Sequence, residues 1–111
     1  MPTLQDLTHG RLSIDEAVLD EYCRRWKIAK LELFGSALRD DFNESSDIDL
    51  LVTWTQESKW GLFEFERMER ELSAIAGRKV DLVSRRAIEG SYNHYRRNSI
   101  LGSAVSVYEA R

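Results

Sequence analysis

The feature that most constrains this chain is a pair of carboxylates, Asp47 and Asp49, at the start of an apolar run that ends at Trp54. Successive side chains of a strand point to opposite faces, so the two acids share one face. The other face carries Ile48, Leu50, Val52 and Trp54. We predict a strand over Ile48–Trp54 with one face in the core and a carboxylate pair on the other. Two carboxylates this close repel each other unless a proton or a cation lies between them, and a hard divalent cation suits oxygen ligands.

A phosphate-binding turn is predicted just upstream. Gly35 and Ser36 follow the first predicted strand, Ile28–Phe34, and precede a short helix predicted over 37–41. Backbone N–H groups converge at such a turn, and a residue without a side chain lets a phosphate approach closely. Ser36 adds a hydroxyl donor, and Arg39 adds a guanidinium that suits phosphate oxygens.

A third acid, Asp81, lies among aliphatic residues in a strand predicted over 79–84. An acid in such a strand is costly unless it points to solvent or has a function. If this strand neighbours the Asp47–Asp49 strand and their polar sides coincide, the three acids form a triad for two divalent metals. Two metals can hold both the attacking and the leaving oxygen of an in-line phosphoryl or nucleotidyl displacement.

The remaining elements give an α/β pattern. A capping box of Ser13 and Glu16 predicts a helix whose apolar stripe is Ile14, Val18, Leu19, Tyr22, Cys23 and Trp26. A second helix is predicted over 62–76, ended by Gly77, with the stripe Leu62, Phe65, Met68, Leu72, Ile75 and Ala76. Weaker signals predict a helix interrupted at Gly90, a helix over 92–101 and a strand over 104–108. This order predicts one α/β domain over 13–111, after a polar lead-in over 1–12.

Composition excludes several classes of protein. A chain of 111 residues is one domain with a real core, and a net charge of −3 argues against a general nucleic-acid or membrane-surface binder. Cys23 is the single cysteine, which excludes a disulfide framework and a cysteine-rich zinc site; we predict that it packs in the core. There is no membrane-spanning run or secretion signal, so we expect a cytoplasmic protein.

The sequence combines Gly35-Ser36, ten intervening residues, Asp47-Ile48-Asp49 and the third acid Asp81. This combination resembles the minimal nucleotidyltransferases of the DNA polymerase beta superfamily. The resemblance covers roughly 28–108. It implies a mixed sheet of about four strands, two Mg²⁺ ions, and transfer of AMP from ATP to an acceptor hydroxyl. Asp47, Asp49 and Asp81 would bind the metals, and Asp81 would also help to deprotonate the acceptor. The triphosphate would be held by Gly35, Ser36, Arg39 and Ser46.

The same resemblance implies a protein partner. Small members of this family are often encoded beside a HEPN-domain toxin, which they neutralise as antitoxins by adding AMP, often at a tyrosine. A chain of 111 residues has no room for a separate acceptor-binding domain, so the partner is expected to supply that surface. The alternative is an antitoxin that neutralises its toxin by binding alone. One departure from the family pattern is Asp40-Asp41, where members often carry glycine after the arginine.

Five further features are assigned to ordinary structure. Arg85-Arg86 and Arg96-Arg97 are interpreted as solvated charge rather than nucleotide or RNA contacts, and His94 as a surface residue. Trp54 and Trp60 are expected to pack in the core or against loops rather than to stack a base or meet a partner.

Overall fold

The computed structural model describes Thr3 and residues 14–35, 47–55 and 59–110. Four helices and four strands lie in these ranges. In chain order they are α1 (Glu16–Arg25), β1 (Ile28–Phe34), β2 (Ile48–Trp54), α2 (Leu62–Ala76), β3 (Val80–Ser84), α3 (Arg85–Glu89), α4 (His94–Ser103) and β4 (Val105–Glu109). The bounds predicted for β1, β2 and α2 are confirmed. The single α/β domain with a four-stranded mixed sheet is confirmed as well.

The strands form one sheet in the order β3-β2-β1-β4. β1 pairs antiparallel with both β2 and β4, whereas β2 and β3 are parallel. Parallel neighbours need a crossover connection, and α2 provides it between β2 and β3. Because of this crossover, β2 and β3 both begin at the edge of the sheet where β1 ends. Residues near the starts of these two strands therefore lie beside the end of β1.

The larger core lies between one face of the sheet and helices α1 and α2. Its buried members are Leu19, Tyr22, Cys23, Trp26, Ile28, Leu31, Leu33, Ile48, Leu50, Val52, Met68, Leu72, Val80 and Leu82. Cys23 is fully buried, as predicted, and burial raises the pKa of its thiol to about 12. Trp60 packs edge-on against Trp26 and donates to its backbone carbonyl, and Trp54 packs beside Phe65. The predicted packing roles of Trp54 and Trp60 are thereby confirmed.

A second core covers the other face of the sheet, which the sequence pattern had left to polar residues. It is formed by Phe34, Leu51, Ile88 and Ile100, with Val83, Leu101 and Ala104 packed against it. Leu51 lies on the same strand face as Asp49 and is fully buried. Helices α3 and α4 therefore shield most of this face, and the acids stand at its edge rather than on an open polar surface.

Arg85 was wrongly interpreted from the sequence as solvated charge, whereas its neighbour Arg86 is exposed as predicted. Glu32 alternates with the apolar residues of β1, yet it is only 5 % exposed. Its two carboxylate oxygens accept hydrogen bonds from Nη1 of Arg85 at 2.6 and 2.8 Å. Arg85 is therefore a partly buried structural residue that anchors α3 to β1, not solvated charge.

Three local expectations about the helices are also wrong. Asp15 caps α1, since its carboxylate accepts from the backbone N–H groups of Ala17 and Val18, while the predicted cap Ser13 lies outside the described residues. Val18 and Leu62, placed on apolar stripes by their spacing, are 43 % and 84 % exposed. Both lie in the first turn of their helices, and helical spacing gives the angular position of a residue but not where along the helix its packing partners end.

The ends of the other elements depart little from prediction. Gly77 ends α2 in the left-handed conformation, with φ 73°, as predicted. The last helix begins at His94 and runs through Gly102 to Ser103, so that glycine does not end it. No helix in the described ranges is long and apolar enough to cross a membrane. The boundary between 12 and 13 lies outside the described residues, so the division into lead-in and domain stays a prediction.

Candidate active site

Two of the three predicted acids face each other across a strand pair. Asp49 is the second residue of β2 and Asp81 the second residue of β3, and they are register partners in the parallel ladder. Asp47 directly precedes β2, one strand repeat from Asp49, so it lies on the same side. The predicted convergence of Asp47, Asp49 and Asp81 at one edge of the sheet is therefore confirmed as geometry.

Gly35 lies against the carboxylate of Asp49. It ends β1 with φ 75°, a conformation that residues with a side chain rarely adopt, and its neighbour Phe34 pairs with Asp49. A Cβ atom at this position would lie 2.6 Å from Oδ2 of Asp49. Glycine is thus required here by its backbone conformation and by the close approach of the acid.

The charges at this edge act on one another. The pKa of Asp49 is raised, first by burial, then by the negative charge of Asp81 and then by that of Asp47. Each cause disfavours the ionised form, and a nearby cation would relieve all three. Nζ of Lys79 lies 3.9 Å from both Oδ2 of Asp47 and Oδ1 of Asp81, and its side chain is 68 % exposed. Nothing in the sequence signals this contact, although Lys79 directly precedes β3.

Helix α2 fixes the strand that carries Asp81. β3 is an edge strand, so the backbone N–H groups on its outer side have no partner strand. Oγ of Ser73 accepts from the backbone N–H of Val80 at 2.9 Å, and Oε2 of Glu69 accepts from that of Leu82 at 2.8 Å. These two bonds flank Asp81 and hold its backbone. The sequence shows both residues on a helix but carries no signal for this contact.

The acids open into a pocket of about 860 Å³. Its lining residues in the described ranges are Phe34, Gly35, Asp49, Asp81, Val83, Tyr95, Arg96, Ser99, Ile100 and Ser103. One wall is the sheet edge with Gly35 and the acids, and the opposite wall is helix α4. The pocket is open to solvent, so a ligand bound there would also present a surface to another molecule.

The predicted phosphate-binding residues are described only in part. Gly35 is placed beside Asp49, whereas Ser36, Arg39 and Ser46 lie outside the described residues, as do Asp40-Asp41 and the short helix predicted over 37–41. His94 is exposed at the start of α4, as predicted, and its Nδ1 lies 2.7 Å from Nη2 of Arg97. Arg96 lines the pocket, a position that sequence analysis had interpreted as solvated charge.

A family comparison agrees with this geometry. The nucleotidyltransferase domain family matches residues 16–107, which span every element from α1 to β4 except the last two residues of β4. The chain belongs to this family. The predicted class of enzyme, a nucleotidyltransferase, and the resemblance to minimal nucleotidyltransferases are thereby confirmed.

Relatives of this nucleotidyltransferase carry related names. It is 33 % identical over 89 residues to the protein adenylyltransferase MntA of Thermococcus cleftensis, covering 80 % of this chain and 84 % of that protein. It is 32 % identical over 68 residues to a candidate protein adenylyltransferase of Methanocaldococcus jannaschii, covering 61 % of this chain and 68 % of that protein.

Solved structures share the fold. One, described as a candidate minimal nucleotidyltransferase, is 31 % identical with a TM-score of 0.61 and covers 94 % of this chain and 95 % of its own. Another, a toxin–antitoxin complex with AMP-PNP, has a TM-score of 0.65 and covers 88 % of this chain and 76 % of its own. At 19 % identity, the second likeness shows the fold alone.

The acids suit a divalent cation in their chemistry. Asp49 and Asp81 carry carboxylate oxygens at paired positions of neighbouring strands, and burial together with the charges of Asp81 and Asp47 raises the pKa of Asp49. As the side chains stand, no group of three acidic, histidine or cysteine residues in the described ranges is arranged to hold one ion. The three carboxylates would therefore have to rotate to bind one cation together. In this arrangement Lys79 contacts two of them, Asp47 and Asp81.

Proposed function

We propose that this chain transfers AMP from ATP to a hydroxyl group of a partner protein, with two Mg²⁺ ions held by Asp47, Asp49 and Asp81. The observation that carries the proposal is the pairing of Asp49 with Asp81 on one wall of an open pocket, with Gly35 against the Asp49 carboxylate. The related protein adenylyltransferases support a protein acceptor.

Each residue has a defined task in this reaction. Asp47, Asp49 and Asp81 would hold the metals, and Gly35, which has no side chain, leaves the room that the Asp49 carboxylate occupies. Asp81 accepts the proton of the acceptor hydroxyl while the hydroxyl oxygen of the acceptor bonds to the α-phosphorus. The bond from the α-phosphorus to the oxygen that bridges to the β-phosphorus breaks, which releases pyrophosphate. Bound Mg²⁺ would neutralise charge that develops on the attacking and leaving oxygens. Ser36, Arg39 and Ser46 are proposed to bind the phosphates.

The acceptor that we propose is a tyrosine of a HEPN-domain toxin, which the chain would neutralise as an antitoxin. Support comes from the relative named MntA and from the fold shared with an MntA–HepT toxin–antitoxin complex, which has a TM-score of 0.57. The open pocket is compatible with a macromolecular acceptor, because its mouth is accessible from solvent.

The decisive experiment uses ATP labelled at the α-phosphate, Mg²⁺ and the product of the adjoining gene. We expect label on the partner with the wild-type chain and a loss of at least about 100-fold with Asp49→Asn or Asp81→Asn. Asp20→Asn is the matched control, since Asp20 is an acid on α1 that pairs with Arg24 at the surface and does not line the pocket. Labelling at the wild-type rate by either site variant would overturn the proposal.

A neutralisation assay separates catalysis from binding. If the Asp47→Ala/Asp49→Ala double variant still blocks toxicity and no label reaches the partner, the chain is a binding antitoxin and the enzymatic proposal fails. If the double variant forms the complex but leaves the toxin active, transfer of AMP is required for neutralisation.

Metal dependence of nucleotide binding provides an independent check. ATP should raise the melting temperature in the presence of Mg²⁺, because a ligand that binds only the folded state stabilises it, and excess EDTA should abolish the shift. An equal shift in EDTA would show that nucleotide binds without a metal bridge to the acids.

A further inference from the structure

The wall of the pocket opposite the acids is built by helix α4. Tyr95, Arg96, Ser99, Ile100 and Ser103 all line the pocket from this helix. Ile100 is buried in the second core and fixes the helix against the sheet, whereas Tyr95 is 89 % exposed. Residues that carry an aromatic ring, a guanidinium and two hydroxyls therefore line the same open pocket as Asp49 and Asp81. This wall lies outside the residues assigned to nucleotide binding above.

Arg96 differs from the arginines around it. Arg85 is paired with Glu32 and Arg97 contacts His94, whereas the guanidinium groups of Arg96 and Arg86 make no ion pair or hydrogen bond within the described part of the chain. Of these two arginines, only Arg96 lines the pocket. It also stands in the first turn of α4, which contains no acidic residue and where the helix dipole disfavours a cation. Neither helix stability nor a side-chain partner accounts for this guanidinium, whereas an anion in the pocket would.

The anion most consistent with both walls is a polyphosphate. Metal-bound acids on one side and a guanidinium on the other would hold phosphate oxygens between them, because a planar fork of donors matches phosphate geometry. The exposed ring of Tyr95 beside the same pocket offers a flat surface on which a base stacks. A carboxylate ligand would satisfy Arg96 but would leave the ring without a role.

We propose that α4 forms the second wall of the nucleotide site, with Arg96 binding a phosphate oxygen of the triphosphate and Tyr95 stacking on the base. This inference rests on the proposed function, since it takes the ligand to be a nucleotide. It adds that recognition of the triphosphate is shared between the sheet edge and a helix that follows it in the chain.

The chain supplies matched controls for both residues. Arg86 on α3 is likewise an exposed arginine, and Tyr92 is 96 % exposed, yet neither lines the pocket. The test measures equilibrium binding of AMP-PNP, AMP and adenosine to the full chain with Mg²⁺ and no acceptor, for Arg96→Ala, Arg86→Ala, Tyr95→Ala and Tyr92→Ala. Binding of a nucleotide that does not react separates recognition from catalysis.

We expect Arg96→Ala to weaken AMP-PNP binding about tenfold or more, the loss typical of one charge-assisted hydrogen bond, and to leave adenosine binding unchanged. Tyr95→Ala should weaken all three ligands by a similar factor, and the two control variants should bind like wild type. The ligand-free melting temperature of Arg96→Ala should be equal to or above that of wild type, because a cation leaves the first turn of a helix. This combination separates lost contact with ligand from damage to the fold.

Equal AMP-PNP affinity of Arg96→Ala and Arg86→Ala, with wild-type binding intact, would overturn this inference and leave the proposed function standing. Loss of partner binding by Tyr95→Ala with unchanged adenosine affinity would overturn the stacking role and assign the ring to the partner. Failure of the wild-type chain to bind any nucleotide would overturn both proposals.

Discussion

The contact between Gly35 and Asp49 gives the sharpest test of the site. In Gly35→Ala the new Cβ would lie 2.6 Å from Oδ2 of Asp49, and an ordinary contact begins at 3.4 Å. The carboxylate must therefore retreat by about 0.8 Å, and misplacement by about 1 Å at a reacting centre is enough to cost about 100-fold in rate. We expect a loss of transfer activity of this order. Asp49 can rotate away from the methyl group, so the damage falls on function more than on folding.

Gly77→Ala isolates the backbone contribution. Gly77 has φ 73°, close to the 75° of Gly35, but a Cβ added there meets nothing within 4 Å. Both alanine variants should lose about 1–2 kcal/mol of unfolding free energy from the left-handed conformation, or about 4–8 °C in melting temperature. Only Gly35→Ala should lose activity. The assay is α-phosphate transfer to the partner beside thermal unfolding; full activity in Gly35→Ala would refute the claim that the close approach positions Asp49.

Three further predictions concern charge and packing. The raised pKa of Asp49 means that its ionised form lowers the stability of the fold at neutral pH. Asp49→Asn should therefore melt at a higher temperature than wild type in metal-free buffer at pH 7. This difference in melting temperature should shrink as the pH falls through the raised pKa. Glu32→Gln breaks the buried pair with Arg85 and should cost about 3 kcal/mol in denaturant unfolding. Tyr22→Phe removes the buried bond from the Tyr22 hydroxyl to the Met68 carbonyl and should cost about 1–2 kcal/mol, measured the same way.

Controls distinguish these effects from general perturbation. Asp20→Asn removes a half-exposed acid that pairs with Arg24 and should bring no stabilisation. An Asp49→Asn variant less stable than wild type at pH 7 would contradict the electrostatic account. Glu89→Gln removes the other carboxylate near Arg85, which is 53 % exposed and 3.7 Å from Nε, and should cost well under 1 kcal/mol. Equal losses for Glu32→Gln and Glu89→Gln would show that burial of the pair contributes nothing. For Tyr22→Phe, unfolding that matches wild type would mean that water satisfies the carbonyl.

Much of the local structure follows from patterns that each segment carries by itself. Alternation in β1 and β2 and helical spacing in α2 determine which residues can bury one face, and their bounds match the structure. Gly77 was identifiable as a helix stop because a left-handed residue there favours glycine. From the sequence, Asp49 and Asp81 converge only if their two strands are neighbours in the sheet, and the parallel register shows that they are.

The amino-acid sequence by itself determined the strand and helix segments, the acids that would carry the chemistry and the family to which the chain belongs. Only the tertiary structure decided what surrounds those acids: the Lys79 ammonium, the hold of α2 on β3, and the α4 wall with Tyr95 and Arg96. It also decided that Arg85, interpreted from the sequence as solvated charge, pairs with the buried carboxylate of Glu32, 53 residues away. The physical reason is that periodicity reports which face of a segment is apolar, whereas a polar contact depends on which distant segment packs against that face.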